Sequence, residues 1–277
     1  MYGPKIKNSH PLRAKGGVLL TTSEEIKDRW VEHFSELINH HAEVDLSIVE
    51  DVEQHPINDS LDDPITESEQ DQAFKNTKLG KNSGPDGVLA EVLVNGGAHL
   101  RASLLTMVTI FWSMENIPTD FIDPNTTIFY KKGDRSHCGN YRRISLLSIV
   151  GKVFADTILQ RLKNLAELIY AQSQSGYRSG RSTFDGIFTL RQLMEKSREQ
   201  RRNMYIAFVD FTKAFDTVNR DLCYGILDRL GCSAKFVRII KKLYTNVYAR
   251  IVVDGELTSP FEYNSGVKQD CKLAPTL

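Results

Sequence analysis

Residues 205–216 read Tyr205-Ile-Ala-Phe-Val-Asp-Phe-Thr-Lys-Ala-Phe-Asp216. Apolar or aromatic side chains from Tyr205 to Val209 run directly into the carboxylate of Asp210. Their aromatic and β-branched character predicts a short buried strand. A strand that ends on a buried charge faces a desolvation cost unless something compensates it. A divalent cation would do so, because carboxylate oxygens suit Mg2+. For a lone strand-end Asp, capping of the following turn is the commoner role, so the surrounding sequence has to decide.

Downstream, Asn219 caps a predicted helix carrying Leu222, Ile226 and Leu230, which Gly231 stops. Ser233 opens another, and Arg250 to Leu257 reads as a hairpin around Asp254-Gly255. Upstream, Ser23 opens a helix with Ile26, Trp30, Phe34, Leu37 and Ile38 on one face. An acidic, weakly structured segment follows to about Pro64, and Thr66-Glu-Ser-Glu69 then forms a capping box for a short helix ending at Gly80. Helical spacing recurs over Leu100–Trp112, Val153–Ile169 and Phe184–Met194, and Thr126–Tyr130 is extended. Helices grouped around a few antiparallel strands predict an α+β fold.

The 277 residues suffice for one or two domains with a substantial core. A net charge of zero hides a division along the chain. Residues 23–72 hold 16 acidic and 2 basic side chains, whereas residues 131–202 hold 15 basic and 6 acidic ones. A basic body of this kind is either a polyanion-binding surface or a merely solvated one. The apolar run Leu104–Trp112 is too short to span a bilayer, so no membrane partner is expected. Met1–Asn8 has no apolar core and does not read as a signal peptide. Four scattered cysteines, Cys138, Cys223, Cys232 and Cys271, argue for free thiols over a disulfide framework or a zinc ribbon. Gly151-Lys152 fails the phosphate-loop pattern at Leu146 and Val153, and His33, His40 and His41 lack zinc partners and read as surface residues.

Six motifs, the opening one among them, occur in a fixed order: Ser83-Gly-Pro-Asp-Gly87, Tyr130-Lys-Lys-Gly-Asp134, Asn140-Tyr-Arg-Arg-Ile-Ser-Leu-Leu147, Ser175-Gly-Tyr-Arg-Ser-Gly-Arg-Ser-Thr183, Phe208–Asp216, and Gly266-Val-Lys-Gln-Asp-Cys-Lys-Leu-Ala-Pro275. In that order they resemble the reverse transcriptases of non-LTR retrotransposons of the long interspersed element type. The resemblance implies a right-hand polymerase fold. It divides the chain into a linker segment at 1–72, fingers at 73–204 and a partial palm at 205–277, with no thumb. It implies RNA-directed DNA polymerisation by two-metal phosphoryl transfer, with an RNA template, a DNA primer and a deoxynucleoside triphosphate as partners. An intracellular location, nuclear or cytoplasmic, is expected only from this resemblance.

By that resemblance Asp210 is the catalytic metal carboxylate, with Phe211 beside it at the Mg2+ site. Lys132 and Arg142 grip the triphosphate, Phe215 lies under the sugar and excludes a ribose 2′-hydroxyl, and Gln269 lies against the nucleotide and template base. Tyr141 packs. Ser83, Gly84, Pro85, Asp86 and Gly87, with Arg178, Gly180 and Arg181, contact template or primer, the glycines by close backbone approach.

The chain departs from the resembled motifs in three places. Asp270 stands where the family has Gly, Arg143 where it commonly has Gly or Pro, and Lys272 where it has an apolar residue. Leu277 precedes the Ala-Asp-Asp hairpin that supplies the family's other metal carboxylates. The expectation is therefore a fragment, inactive as it stands. A non-catalytic nucleic-acid-binding remnant and an intron-maturase-like protein are the alternatives.

Overall fold

A computed structural model describes residues 10–39, 44–269 and 271–277 of the chain. Expectations for Met1–Asn8, His40, His41 and Asp270 fall outside the described residues. A ribbon of β1 (Leu12–Arg13) and β2 (Leu19–Leu20) leads into α1 (Ser23–Ile38), which buries Ile26, Trp30, Phe34 and Ile38 on one face. Its cap is Thr22, not Ser23: the hydroxyl accepts from the Glu25 amide while the Glu25 carboxylate accepts from the Thr22 amide. The acidic segment that follows is docked, not loose. Its amides at His55 and Asn58 donate to the carbonyls of Arg229 and Gly231 at 2.7 and 2.8 Å. Unpaired backbone groups would be costly there, and this threading satisfies them.

Next come α2 (Glu67–Lys75), α3 (Ala90–Asn95) and α4 (Gly97–Met114). Thr66 and Glu69 form the expected box, but α2 ends at Asn76, short of Gly80. The hairpin β3 (Asn125–Tyr130) and β4 (Tyr141–Leu146) precedes α5 (Ile149–Ile169), whose buried face runs from Ile149 to Leu165. Then follow α6 (Thr183–Glu199), α7 (Arg220–Arg229) and α8 (Ala234–Lys242), with Asn219 and Ser233 capping the last two as their sequence predicts. The chain closes through β5 (Tyr248–Val253), β6 (Glu256–Leu257) and β7 (Phe261–Glu262). Asp254 and Gly255 both take positive φ between β5 and β6, as a tight hairpin turn requires.

The sheet order is β4-β3-β5-β6, with β7 also on β5. The β3–β4 and β5–β6 pairs are antiparallel, but β3 and β5 run parallel, Thr126 opposite Ile251. Four helices intervene between those strands, and a long connection of this kind permits a parallel neighbour. One buried cluster draws on residues from Leu12 to Ala274, with Trp112, Phe154, Phe236, Ile251 and Tyr263 among its fully buried side chains.

The expected strand at Tyr205–Val209 does not form. Residues 203–211 have no regular structure, and Tyr205, Phe208 and Phe211 are 92, 85 and 78% exposed. A strand persists only when its amides and carbonyls are paired. Strands β3 to β7 pair with one another, and none pairs with this segment. Helix α6 forms as expected, yet none of its residues is buried, and Phe184, Ile187 and Phe188 face outward.

Candidate functional site

The β3–β4 hairpin builds one wall of the site through strand alternation. Along β4, Arg142 and Ile144 line a cavity of about 520 Å³, while Arg143 and Ser145 turn inward and are buried. Lys131, which follows β3, and Tyr177 and Phe215 line the same cavity. Gln269 and Cys271 supply a further wall. The structure therefore gathers Arg142, Phe215 and Gln269, which belong to three separate motifs. Lys132 is not among the lining residues and is exposed in the turn, whereas its neighbour Lys131 does line the cavity.

The Phe215 turn is held from behind. Lys213 takes φ 56°, and its carbonyl accepts from the Asp216 amide at 2.8 Å. The Phe215 carbonyl accepts from the Val267 amide at 2.7 Å, and the Gly266 amide donates to the Val218 carbonyl at 3.1 Å. Gly266 has φ 70°, and a Cβ there would lie 2.5 Å from the Phe215 oxygen and 2.6 Å from that of Asp216. Only glycine permits both the left-handed backbone and this approach. Arg220 closes the arrangement by donating to the carbonyls of Gly266, Tyr244 and Tyr263 at 2.8, 2.7 and 3.0 Å.

The Gln269 loop is anchored similarly. Its carbonyl accepts from the Ser145 amide at 3.3 Å. Lys268 is buried and donates to the carbonyls of Ile122 and Leu243, both at 2.7 Å. Burial pushes its pKa down to about 7.

The two basic departures from the resembled motifs each meet a buried carboxylate. Arg143 Nη2 donates to Asp216 Oδ1 at 2.6 Å and to the Tyr263 hydroxyl at 2.9 Å. Burial opposes the Arg143 charge, but Tyr263 and Asp216 outweigh it and hold its proton more tightly than usual. Lys272 Nζ lies 2.9 Å from Asp156 Oδ1, and Asp156 also accepts from Asn76 and Gln160 at 2.9 and 3.2 Å. Neither residue disrupts the strand or loop it occupies.

The other expected site residues lie differently. Asp210 is exposed, and Phe211 is exposed with it, so no burial forces a cation upon the carboxylate. A magnesium site needs several converging oxygens. Among the described residues no group of three or more His, Cys, Asp or Glu side chains could hold a metal ion. The residues present do not by themselves fit that ion.

In the Ser83–Gly87 turn, Pro85, Asp86 and Gly87 are exposed, and Ser83 is half-buried. Gly84 is buried against the chain itself: a Cβ there would meet the Ser148 nitrogen at 2.4 Å. Its close approach serves the start of α5. Arg178 is folded back, donating to Glu167 and to the Ala171 carbonyl, both at 2.9 Å. Gly180 and Arg181 are exposed, with Arg181 bonded to Gln172 at 3.0 Å. Tyr141 packs as expected, edge-on to Trp30 at 5.0 Å. All four cysteines are buried and free, and no helix among the described residues is long and apolar enough to cross a membrane.

Sequence reasoning missed Lys131, Tyr177 and the pairs Arg143–Asp216 and Lys272–Asp156. Strand alternation from Arg142 would have placed Arg143 inward; nothing local marks the carboxylate it meets, 73 positions away.

Residues 130–277, more than half of the chain, match the family described as reverse transcriptase (RNA-dependent DNA polymerase). The chain is 30% identical over 218 residues to the Xenopus laevis transposon TX1 uncharacterized 149 kDa protein, covering 78% of this chain and 17% of that one. It is 29% identical over 163 residues to the retrovirus-related Pol polyprotein from type-1 retrotransposable element R2 of Popillia japonica, covering 58% of this chain and 23% of the relative. Identity to the corresponding type-2 R2DM polyprotein of Drosophila melanogaster is 26% over 212 residues, covering 76% and 19%. The chain thus spans between 17 and 23% of the length of these relatives.

Proposed function

The chain belongs to the reverse transcriptase (RNA-dependent DNA polymerase) family, in its non-LTR retrotransposon branch, and from that premise we propose that it holds the incoming deoxynucleoside triphosphate during RNA-templated DNA synthesis. The observation that carries this reading is the cavity of about 520 Å³ where Arg142, Phe215 and Gln269 meet. Its size suits a small ligand, and its walls combine an aromatic face with a few placed polar groups.

Arg142 offers a planar donor fork to phosphate oxygens and Lys131 a point charge. Phe215 and Tyr177 offer rings to the sugar and base, and the Gln269 amide offers both a donor and an acceptor. The Phe215 ring and a 2′-hydroxyl would compete for one volume, which favours deoxyribose. The exposed turn Pro85–Gly87 and Arg181, within the basic stretch 131–202, are our candidates for template and primer contacts. Arg178, committed to Glu167, takes part only through that loop. In this family's chemistry Mg2+ neutralises phosphate charge. Among the described residues no ligand set for that ion is gathered, around the exposed Asp210 and Phe211 or elsewhere.

Equilibrium dialysis of labelled dATP against the chain, with an annealed RNA-template–DNA-primer, tests the reading. Arg142→Ala is expected to weaken dATP binding at least about tenfold, a loss of ~1.4 kcal/mol. Phe215→Ala is expected to narrow the preference for dATP over ATP. Nucleic-acid binding with no dATP binding would favour a non-catalytic nucleic-acid-binding remnant.

A further inference from the structure

The cavity walls belong to elements far apart in sequence, yet two ion pairs run directly behind them. We propose that Arg143–Asp216 and Lys272–Asp156 are positioning pairs that set the spacing of Arg142, Phe215 and Gln269; the proposal rests on the nucleotide reading of that cavity.

Arg143 and Asp216 are each adjacent in sequence to a cavity residue, Arg142 and Phe215, and each points away from the cavity. Their side chains are 3 and 6% exposed. Fixing Arg143 to Asp216 therefore fixes strand β4 against the Phe215 turn. The Tyr263 hydroxyl accepts from the same Arg143 nitrogen, and the guanidinium lies over the Tyr263 ring at 4.6 Å. The arginine thus has one orientation, defined by three contacts. On the other flank Lys272, next to the lining residue Cys271, ties the Gln269 loop to Asp156 on α5. It also donates to the Asn76 carbonyl at 3.3 Å, linking the end of α2 to the same point.

A buried ion pair is a poor source of stability, because desolvation consumes most of the attraction, and an apolar set of similar volume is often equally stable. What the charged pair adds is direction: a short hydrogen bond tolerates little displacement, whereas apolar contacts slide. The two pairs therefore act on geometry more than on folding.

The test replaces the first group wholesale. Arg143→Met, Asp216→Leu and Tyr263→Phe together leave no unpaired polar group at that point. The combined variant is expected to melt near the wild-type temperature. It should bind dATP at least about tenfold more weakly with the RNA–DNA duplex present, and discriminate less against ATP. Arg143→Lys, which keeps the charge but loses the planar donor fork, should lose less than the combined variant. Lys272→Met together with Asp156→Asn, which removes both charges and still accepts from Asn76 and Gln160, should weaken dATP binding without a matching loss of thermal stability. Wild-type affinity and selectivity in the combined variant would overturn the proposal.

Amide exchange separates this from a failure of the nucleotide reading. The amides of Asp216 and Val267, bonded to the carbonyls of Lys213 and Phe215, should exchange at least about tenfold faster in the combined variant while those of α5 stay protected. If wild-type protein binds no dATP but these amides loosen, the positioning role stands and the ligand assignment falls. If they exchange at the wild-type rate, the positioning role falls whatever binds. Should the combined variant not fold, Arg143→Lys and the Lys272→Met, Asp156→Asn pair carry the same two readouts, and unchanged values in both would overturn the proposal.

Discussion

Gly266→Ala is the sharpest single perturbation of the cavity. Gly266 has φ 70°, a conformation that costs an L side chain about 1–2 kcal/mol. The added Cβ would also lie 2.5, 2.6 and 2.7 Å from the Phe215 oxygen, the Asp216 oxygen and the Asp216 carbonyl carbon. These are backbone atoms and cannot rotate aside, so the turn itself must shift. Forced displacement of packed structure typically costs about 1–3 kcal/mol. The expected destabilisation is roughly 2–5 kcal/mol, a fall in Tm of roughly 5–15 °C by differential scanning calorimetry. Gly80→Ala is the matched control: φ there is 69°, and a Cβ would meet nothing within 4 Å. It should lose the strain contribution only, about 1–2 kcal/mol. Because the shift moves Phe215, dATP affinity should fall in Gly266→Ala and hold in Gly80→Ala. Equal Tm losses in the two variants, or wild-type dATP binding by Gly266→Ala, would refute the reasoning.

Gly84→Ala should destabilise the protein by about 1–3 kcal/mol of overpacking, and so lower Tm, without any nucleic acid present, because its Cβ would press on the backbone of Leu147 and Ser148. A variant that melts normally but loses nucleic-acid affinity would return Gly84 to a template contact. Lys268 gives a pH signature: burial lowers its folded pKa from 10.5 to about 7, so the unfolded chain binds the extra proton between those values. Stability should rise as pH increases from about 7 toward 10.5, and Lys268→Met should flatten that rise in denaturant titrations. An unchanged slope in the variant would show that Lys268 stays charged on its two carbonyls.

The parts of this fold that were legible in sequence are those decided within a few residues. The box of Thr66 with Glu69, the caps at Asn219 and Ser233, and the Asp254-Gly255 turn each satisfy their backbone groups locally. His33 shows the limit of local reading. Nothing in its neighbourhood marked it as other than a surface residue, yet it packs edge-on to Phe34 at 5.0 Å, and burial lowers its pKa to about 4.

Strands are harder, because half of a strand's hydrogen bonding belongs to its neighbour. The composition of Tyr205–Val209 is that of a buried strand, but no strand among the described residues pairs with it, and the same apolar side chains stand exposed. Asp210 is exposed with them, and an exposed carboxylate carries no desolvation cost for a cation to relieve. The proposed nucleotide site does not draw on burial of Asp210. It depends on Arg142, Phe215 and Gln269 converging, and those three are brought together by β4, by the Gly266 clasp and by ion pairs that motif order alone does not reveal. Arg143 and Lys272, departures from the family pattern, find their reason only in contacts with Asp216 and Asp156. A motif comparison scores such residues one position at a time, whereas their physical meaning lies in the pair.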